Sequence, residues 1–142
     1  SRDGAAAPVN GGVQRLKRIE QLPRPAFELL DPNLYGEPAM PRPFGMVQSI
    51  RGCPYGCNYC VRSYGRQMVE KDIGQTLDEI RFLVDRHRIR SLRFIDDTFT
   101  ARRERTIEIC RRLIEERIAL RWACLTRTDA IDEELLQWMR AA

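Results

Sequence analysis

Hydrophobic positions fall into two regimes along the 142-residue chain, and the change comes near Phe44. Beyond that point, short apolar runs alternate with stretches in which apolar residues recur every three or four positions. The first pattern predicts strands and the second amphipathic helices. Residues 46–51 are predicted as a strand, followed by a cysteine-bearing loop. A helix is expected over residues 76–88, opened by a capping box of Thr76 and Glu79, with Leu77, Ile80, Val84 and His87 on one face. Residues 91–96 read as a second strand that closes in the polar turn Asp96-Asp97-Thr98. The next helix is expected to start near Thr100 as N-cap and to align Ile107, Cys110 and Ile114. Residues 121–126 form a third expected strand. A last helix starts near Asp132, carries Glu133 and Glu134 in its first turn and buries Leu135, Leu136 and Met139.

Three strand–helix units at this spacing fit right-handed crossovers and a parallel sheet, so the fold class is α/β. A sheet of three parallel strands has two open edges, whereas parallel sheets are normally covered on both faces. Barrels of eight such units take ~250 residues, about 30 per unit. Residues 44–142 are therefore expected to form a partial parallel (β/α) barrel, three units of a six-unit one. The chain is expected to be a fragment truncated at both ends, and its uncovered edges predict self-association.

Residues 1–43 have a different character. They hold seven of the eight prolines, from Pro8 to Pro43, and only short apolar patches such as Phe27-Glu28-Leu29-Leu30. Proline at this density removes backbone donors and breaks regular elements, which predicts an interdomain linker or strap.

Composition narrows the class. With 43% apolar and 31% charged residues the chain is ordinary globular material, neither disordered nor membrane-embedded. The net charge of +4 is spread among interspersed acids, as in Arg102-Arg103-Glu104-Arg105, so no nucleic-acid partner is expected. No stretch approaches the ~20 apolar residues of a membrane span. No secretion signal pattern opens the chain, and a cytoplasmic location is expected.

Of five cysteines, three crowd into Cys53-Pro54-Tyr55-Gly56-Cys57-Asn58-Tyr59-Cys60. An odd count with such clustering argues against a disulfide framework and for metal binding. Thiolates suit zinc, copper(I) or iron–sulfur. Structural zinc would need a fourth ligand. The single histidine, His87, falls on a helix core face, and Cys110 and Cys124 fall at core positions as small buried hydrophobes. Closed 4Fe–4S sites use four cysteines, often in C-x2-C-x2-C-x3-C order. Here the first gap is three residues and no fourth cysteine follows nearby, so one iron would stay open, the mark of a reactive metal site. Gly52 and Gly56 are placed to relieve strain where the loop turns.

The C-x3-C-x2-C loop with Tyr59 before the last cysteine, at the end of the first of several strand–helix units, resembles the radical S-adenosylmethionine (SAM) superfamily. The resemblance implies that Cys53, Cys57 and Cys60 bind a 4Fe–4S cluster, that SAM chelates its open iron, and that Tyr59 lies by the adenine. It further implies reductive cleavage of SAM to methionine and a 5′-deoxyadenosyl radical, with the electron supplied by a reductant such as flavodoxin or ferredoxin. The segments Ser49–Pro54, Leu92–Thr100 and Trp122–Asp129, with Leu22-Pro23-Arg24-Pro25 before them, are similar to the branch that carries an N-terminal cobalamin-binding domain. That branch includes anaerobic magnesium-protoporphyrin monomethyl ester cyclase and hopanoid methylases. Cobalamin would then be held by a domain outside this chain, and the substrate would be a small molecule, transformed by methyl transfer or by C–C bond formation or rearrangement.

Asp96 and Asp97 end a parallel strand on the rim where barrels place ligands. Their position resembles that of the superfamily's Gly-Gly-Glu motif, which implies hydrogen bonds to the SAM ammonium. A polar turn in which Asp97 or Thr100 caps the next helix is the other account. Arg127, with Thr126 and Asp129 on the same rim, is a candidate for the SAM carboxylate or the substrate, or for a surface ion pair. Arg66 is a weaker candidate, and Trp122 is expected to pack. Two other functions share this first half: methylthiotransfer to RNA or a ribosomal protein, and a non-catalytic iron–sulfur role.

Overall fold

The computed structural model describes residues 18–61 and 64–142. Part of the expected linker, residues 1–17, lies outside the described residues. Three parallel strands, β1 (Phe44–Val47), β4 (Ser91–Phe94) and β5 (Arg121–Cys124), form one sheet in the order β1-β4-β5. Their register sets Phe44 beside Ser91 and Ser91 beside Arg121, so all three strands end level at Val47, Phe94 and Cys124. A second, antiparallel ribbon pairs β2 (Ile50–Arg51) with β3 (Val69–Glu70). Helices α1 (Ile73–His87) and α2 (Arg103–Glu115) provide the crossovers, and α3 (Glu133–Ala141) follows β5. The α/β class and the parallel strand–helix units are as expected.

Helix-facing side chains of the sheet make the core. Val47, Leu92 and Phe94 pack with Leu77, Ile80 and Leu83 of α1 and with Ile109 and Leu113 of α2. Trp122 closes this layer by edge contacts to Phe94 and Phe99, with ring centroids 5.5 and 5.6 Å apart. Its role is packing, as its sequence position predicts. The opposite sheet face is open at its upper end, where Met46, Ile95 and Leu125 are 42–54% exposed. Lower down it is covered by the N-terminal segment. There Arg93 donates to Glu37 at 2.7 Å, the Ser91 hydroxyl donates to Pro41 O, and Arg90 N donates to Pro43 O at 2.8 Å. This segment also includes two short 3-10 turns, Ile19–Gln21 and Phe27–Leu29, and buries Ile19.

Several boundaries differ from the pattern-based expectation. Helix α1 starts earlier, because Asp72 is the N-cap and its Oδ1 accepts from Gln75 N at 3.1 Å. Thr76 is a buried residue inside the helix that bonds back to Asp72 O. Glu79 pairs with Lys71, so no Thr76–Glu79 capping box exists. Thr100 caps nothing. It lies buried in a 3-10 turn, Phe99–Ala101, and α2 follows after Arg102. The buried stripe of α2 is Thr106, Ile109, Cys110 and Leu113, one step round from Ile107 and Ile114. On α3, Asp132 caps as expected, through Leu135 N at 2.8 Å, but Leu136 is exposed.

The expected single strand over residues 46–51 is broken at Gln48-Ser49 into β1 and β2. Both Ser49 N and Ile50 N donate to the Asp96 carboxylate instead of continuing the parallel ladder.

Phe94 is wholly buried between the two crossover helices, whereas its neighbour Ile95 faces the open side of the sheet. Chemical denaturation is expected to show Phe94→Ala losing about 3–5 kcal/mol, and Ile95→Ala staying within about 0.5 kcal/mol of wild type. Equal losses would mean that the core has been placed on the wrong sheet face.

Candidate functional site

The cysteine loop is the tip of the β2–β3 ribbon, which projects beyond the C-terminal end of β1. Its base is closed twice, by the β2–β3 pairing and by Cys53 N donating to Gly65 O at 3.1 Å. Gly52 begins the loop with φ +89°, and a Cβ there would stand 2.2 Å from Gln67 O. Gly65, at φ +79°, makes the return turn. Gly56, expected to share this task, has no positive φ. A Cβ on it would instead meet the Arg66 guanidinium at 2.5 Å. Cys60 N donates to Cys57 O at 3.3 Å across the Asn58-Tyr59 turn. Tyr59 is 91% exposed.

Two other strand ends reach the loop. After β4, Asp97 accepts from Gly52 N at 3.1 Å, and the Thr98 hydroxyl lies 3.3 Å from Cys53 Sγ. After β5, Arg127 Nη1 donates to Cys57 Sγ at 2.8 Å. Cys53, Cys57, Asp97 and Arg127 are thus assembled on one rim from three separate segments.

Asp96 is held among donors of the protein itself. It is fully buried, its Oδ1 accepts from Ser49 N at 2.6 Å and Ile50 N at 2.9 Å, and its Oδ2 accepts from Ser49 Oγ at 2.6 Å. Burial pushes its carboxyl above the usual range, against these hydrogen bonds and the nearby Arg105 charge, which favour ionisation. Asp97 is the exposed carboxylate of the pair.

Sequence reasoning assigned no role to Ser49, Thr98 or Arg105. Arg105 is half-buried on α2 and donates to Lys71 O at 2.6 Å, tying α2 to the ribbon. Ser49 and Thr98 lie within segments already singled out, Ser49–Pro54 and Asp96-Asp97-Thr98, which was the available signal. Arg105 had none, sitting in a run of mixed charge.

All five cysteines are free thiols; Cys53 and Cys57 are half-buried and Cys60 is exposed. Among the described residues, no three His, Cys, Asp or Glu side chains are already gathered in metal-binding geometry. The donor set nonetheless fits an iron–sulfur cube with one open corner. Three thiols share one loop, whereas Cys110 is buried in α2 and burial pushes its thiol up to about 11. A cavity of about 620 Å³ between the N-terminal segment, β1 and α1 meets the ribbon, among the described residues, at Arg51 and Tyr64, with Lys71 just beyond β3. It is not part of this rim. No helix among the described residues is long and apolar enough to cross a membrane.

The sequence profile of the Radical SAM superfamily matches residues 47–142, which run from the end of β1 through the ribbon, β4, β5 and all three helices. The chain belongs to the radical SAM superfamily, a class of enzymes that use a 4Fe–4S cluster and SAM. It is 28% identical over 127 residues to an uncharacterized methyltransferase of Pyrococcus horikoshii, covering 88% of this chain and 27% of the relative. It is 30% identical over 140 residues to the anaerobic magnesium-protoporphyrin IX monomethyl ester cyclase of Rubrivivax gelatinosus, covering 96% of this chain and 24% of that one. The fold is similar to that of TsrM from Kitasatospora setae, a radical SAM methyltransferase solved with cobalamin and a [4Fe–4S] cluster. The TM-score is 0.64 at 21% identity, over 69% of this chain and 20% of TsrM. The chain spans about a quarter of the length of the curated relatives it matches.

Substitutions at two positions test how the rim is built. Asn at position 96 can keep both backbone amides on its Oδ1 and donate to a turned Ser49 hydroxyl, so Asp96→Asn is expected to fold normally. Asp96→Ala strands buried donors and is expected to cost at least about 2 kcal/mol in urea denaturation. The sign of the pH effect follows from the raised carboxyl. The unfolded chain loses this proton first, so Asp96 lowers stability as pH climbs from its ordinary value through its folded one. That dependence is expected to flatten in Asp96→Asn. At position 52, Gly52→Ala meets both a left-handed backbone and a fixed carbonyl. A loss above about 1 kcal/mol in thermal melts is expected, and an unchanged melt would contradict the loop geometry.

Proposed function

We propose that this chain is the cluster- and SAM-binding part of a cobalamin-dependent radical SAM enzyme. Its reaction would be methyl transfer, or C–C bond formation or rearrangement, on a small molecule. The observation that carries this reading is the convergence on one rim of a three-thiol loop with the ends of β4 and β5. Methyltransferase and cyclase relatives, and a cobalamin-holding structural neighbour, support the branch. Cobalamin would be held outside this chain. Residues 44–142 would be the front half of a six-unit barrel, with residues 1–43 as the strap leading into it. A cytoplasmic location and a flavodoxin- or ferredoxin-like reductant accompany the proposal.

Cys53, Cys57 and Cys60 would hold the cluster, whose chemistry is one-electron reductive cleavage of SAM to methionine and a 5′-deoxyadenosyl radical. The chain's own residues position the partners. The ribbon base keeps the three thiols on a short, closed loop, which limits the ordering entropy that metal binding must overcome. Asp97, exposed on the rim and tied to Gly52 N, is placed to accept hydrogen bonds from the SAM ammonium. Tyr59, with almost its whole ring in solvent, offers an apolar face to the adenine. Asp96 acts one step back by anchoring the ribbon.

Anaerobic reconstitution is expected to give about four iron and four sulfide per chain, with an EPR signal that changes when SAM is added. Replacing any of Cys53, Cys57 or Cys60 with Ala is expected to abolish cluster uptake, while Cys110→Ala keeps it. A cluster whose spectrum ignores SAM would point to a closed, non-catalytic site and defeat the proposal.

A further inference from the structure

We infer that Arg127 is a positioning residue that adjusts the reduction potential of the metal centre through its N–H bond to Cys57. The inference rests on the function proposed above, and it adds a role at the sulfur to the one in SAM or substrate binding that the residue's position on the rim implies.

All three nitrogens of the Arg127 guanidinium donate a hydrogen bond. Nε donates to Asp129 Oδ1 at 2.8 Å and Nη2 to Oδ2 at 2.6 Å, a two-point clasp from a residue only two positions away. The remaining nitrogen, Nη1, donates to Cys57 Sγ at 2.8 Å. One face of the plane lies over the Tyr55 ring, with the guanidinium carbon 4.4 Å from the ring centroid. A planar cation clasped on one edge and stacked on one face has few orientations left, and the one adopted aims a donor at a ligand sulfur.

A donor aimed at sulfur has a specific electrical effect. Reduction of an iron–sulfur centre adds one electron, and part of that charge spreads onto the ligand sulfurs. An N–H dipole there stabilises the reduced form more than the oxidised one and raises the potential. The Thr98 hydroxyl near Cys53 is the weaker case, because the same hydroxyl donates to Asp97 O at 2.8 Å. A guanidinium has no such competing use for Nη1. Asp129 adds a second function, since its carboxylate offsets the cation and leaves mainly a local dipole at the sulfur.

The test is an anaerobic redox titration of the reconstituted full-length protein without SAM, followed by EPR. In Arg127→Leu the potential is expected to fall, with the ratio of reduced to oxidised centre at a fixed potential dropping about tenfold, or about 59 mV for a one-electron couple. Arg127→Lys keeps a charge but loses the fork and the stacking, and an intermediate fall is expected. A loaded Arg127→Leu variant with the wild-type potential overturns the inference and leaves the functional proposal standing. If only Arg127→Lys takes up iron, its potential decides the question in the same way. If wild type loads and neither variant does, the arginine holds the loop and the inference fails. If wild type itself takes up no iron and sulfide, the functional proposal fails first.

Discussion

The Asp96 carboxylate, buried at the end of β4, is the constraint on which the rest of the site depends. It draws Ser49 N, Ser49 Oγ and Ile50 N onto its two oxygens, and so turns the chain out of the parallel sheet one residue before β2 begins. Without that turn β1 would run on as an ordinary strand, and no ribbon would stand at the sheet's edge to carry the cysteines. A buried carboxylate is expensive unless its hydrogen bonds are complete. Here the donors are two backbone amides and one hydroxyl, and the Arg105 charge on α2 lies near enough to favour ionisation.

The ribbon anchors the cysteine loop at its base. Gly52 and Gly65 bracket it with left-handed conformations, and the Cys53–Gly65 hydrogen bond closes it beneath the thiols. The segment after β4 then contributes two contacts, Asp97 to the loop backbone and Thr98 to Cys53, and the segment after β5 contributes one, Arg127 to Cys57. Because the three parallel strands end level, these contacts reach a common rim without long connecting segments. The core on the other side of the sheet, from Val47 through Phe94 to the helices, keeps those ends in register.

Much of this architecture was legible in the chain, and the errors have a common cause. Alternating periodicity marked the three strands and helices, because burial of one face is a local repeat. Capping was less readable. Thr76 and Thr100 have the right chemistry for helix starts, yet Asp72 and the Phe99–Ala101 turn occupy those places. Several residues near each boundary can cap, and packing chooses among them. On α2, Cys110 is buried as expected, but the rest of the stripe lies one position away for a similar reason. Ile107 and Ile114 satisfy the period, but the sheet lies against Thr106, Ile109 and Leu113. Two-residue strands such as β2 and β3 carry no periodicity at all.

By itself the sequence determined the thiol spacing, the absence of a nearby fourth cysteine, and the order of strand–helix units that places the loop at a strand end. Those features depend on neighbours in the chain, and near neighbours are visible in a string of residues. Only the tertiary structure decided that Asp96 anchors the ribbon while Asp97 remains exposed, and that Arg127 meets a sulfur. These contacts join residues 45 to 70 positions apart. Which of two adjacent carboxylates turns inward depends on the direction its strand presents to the core, and no local pattern encodes that choice.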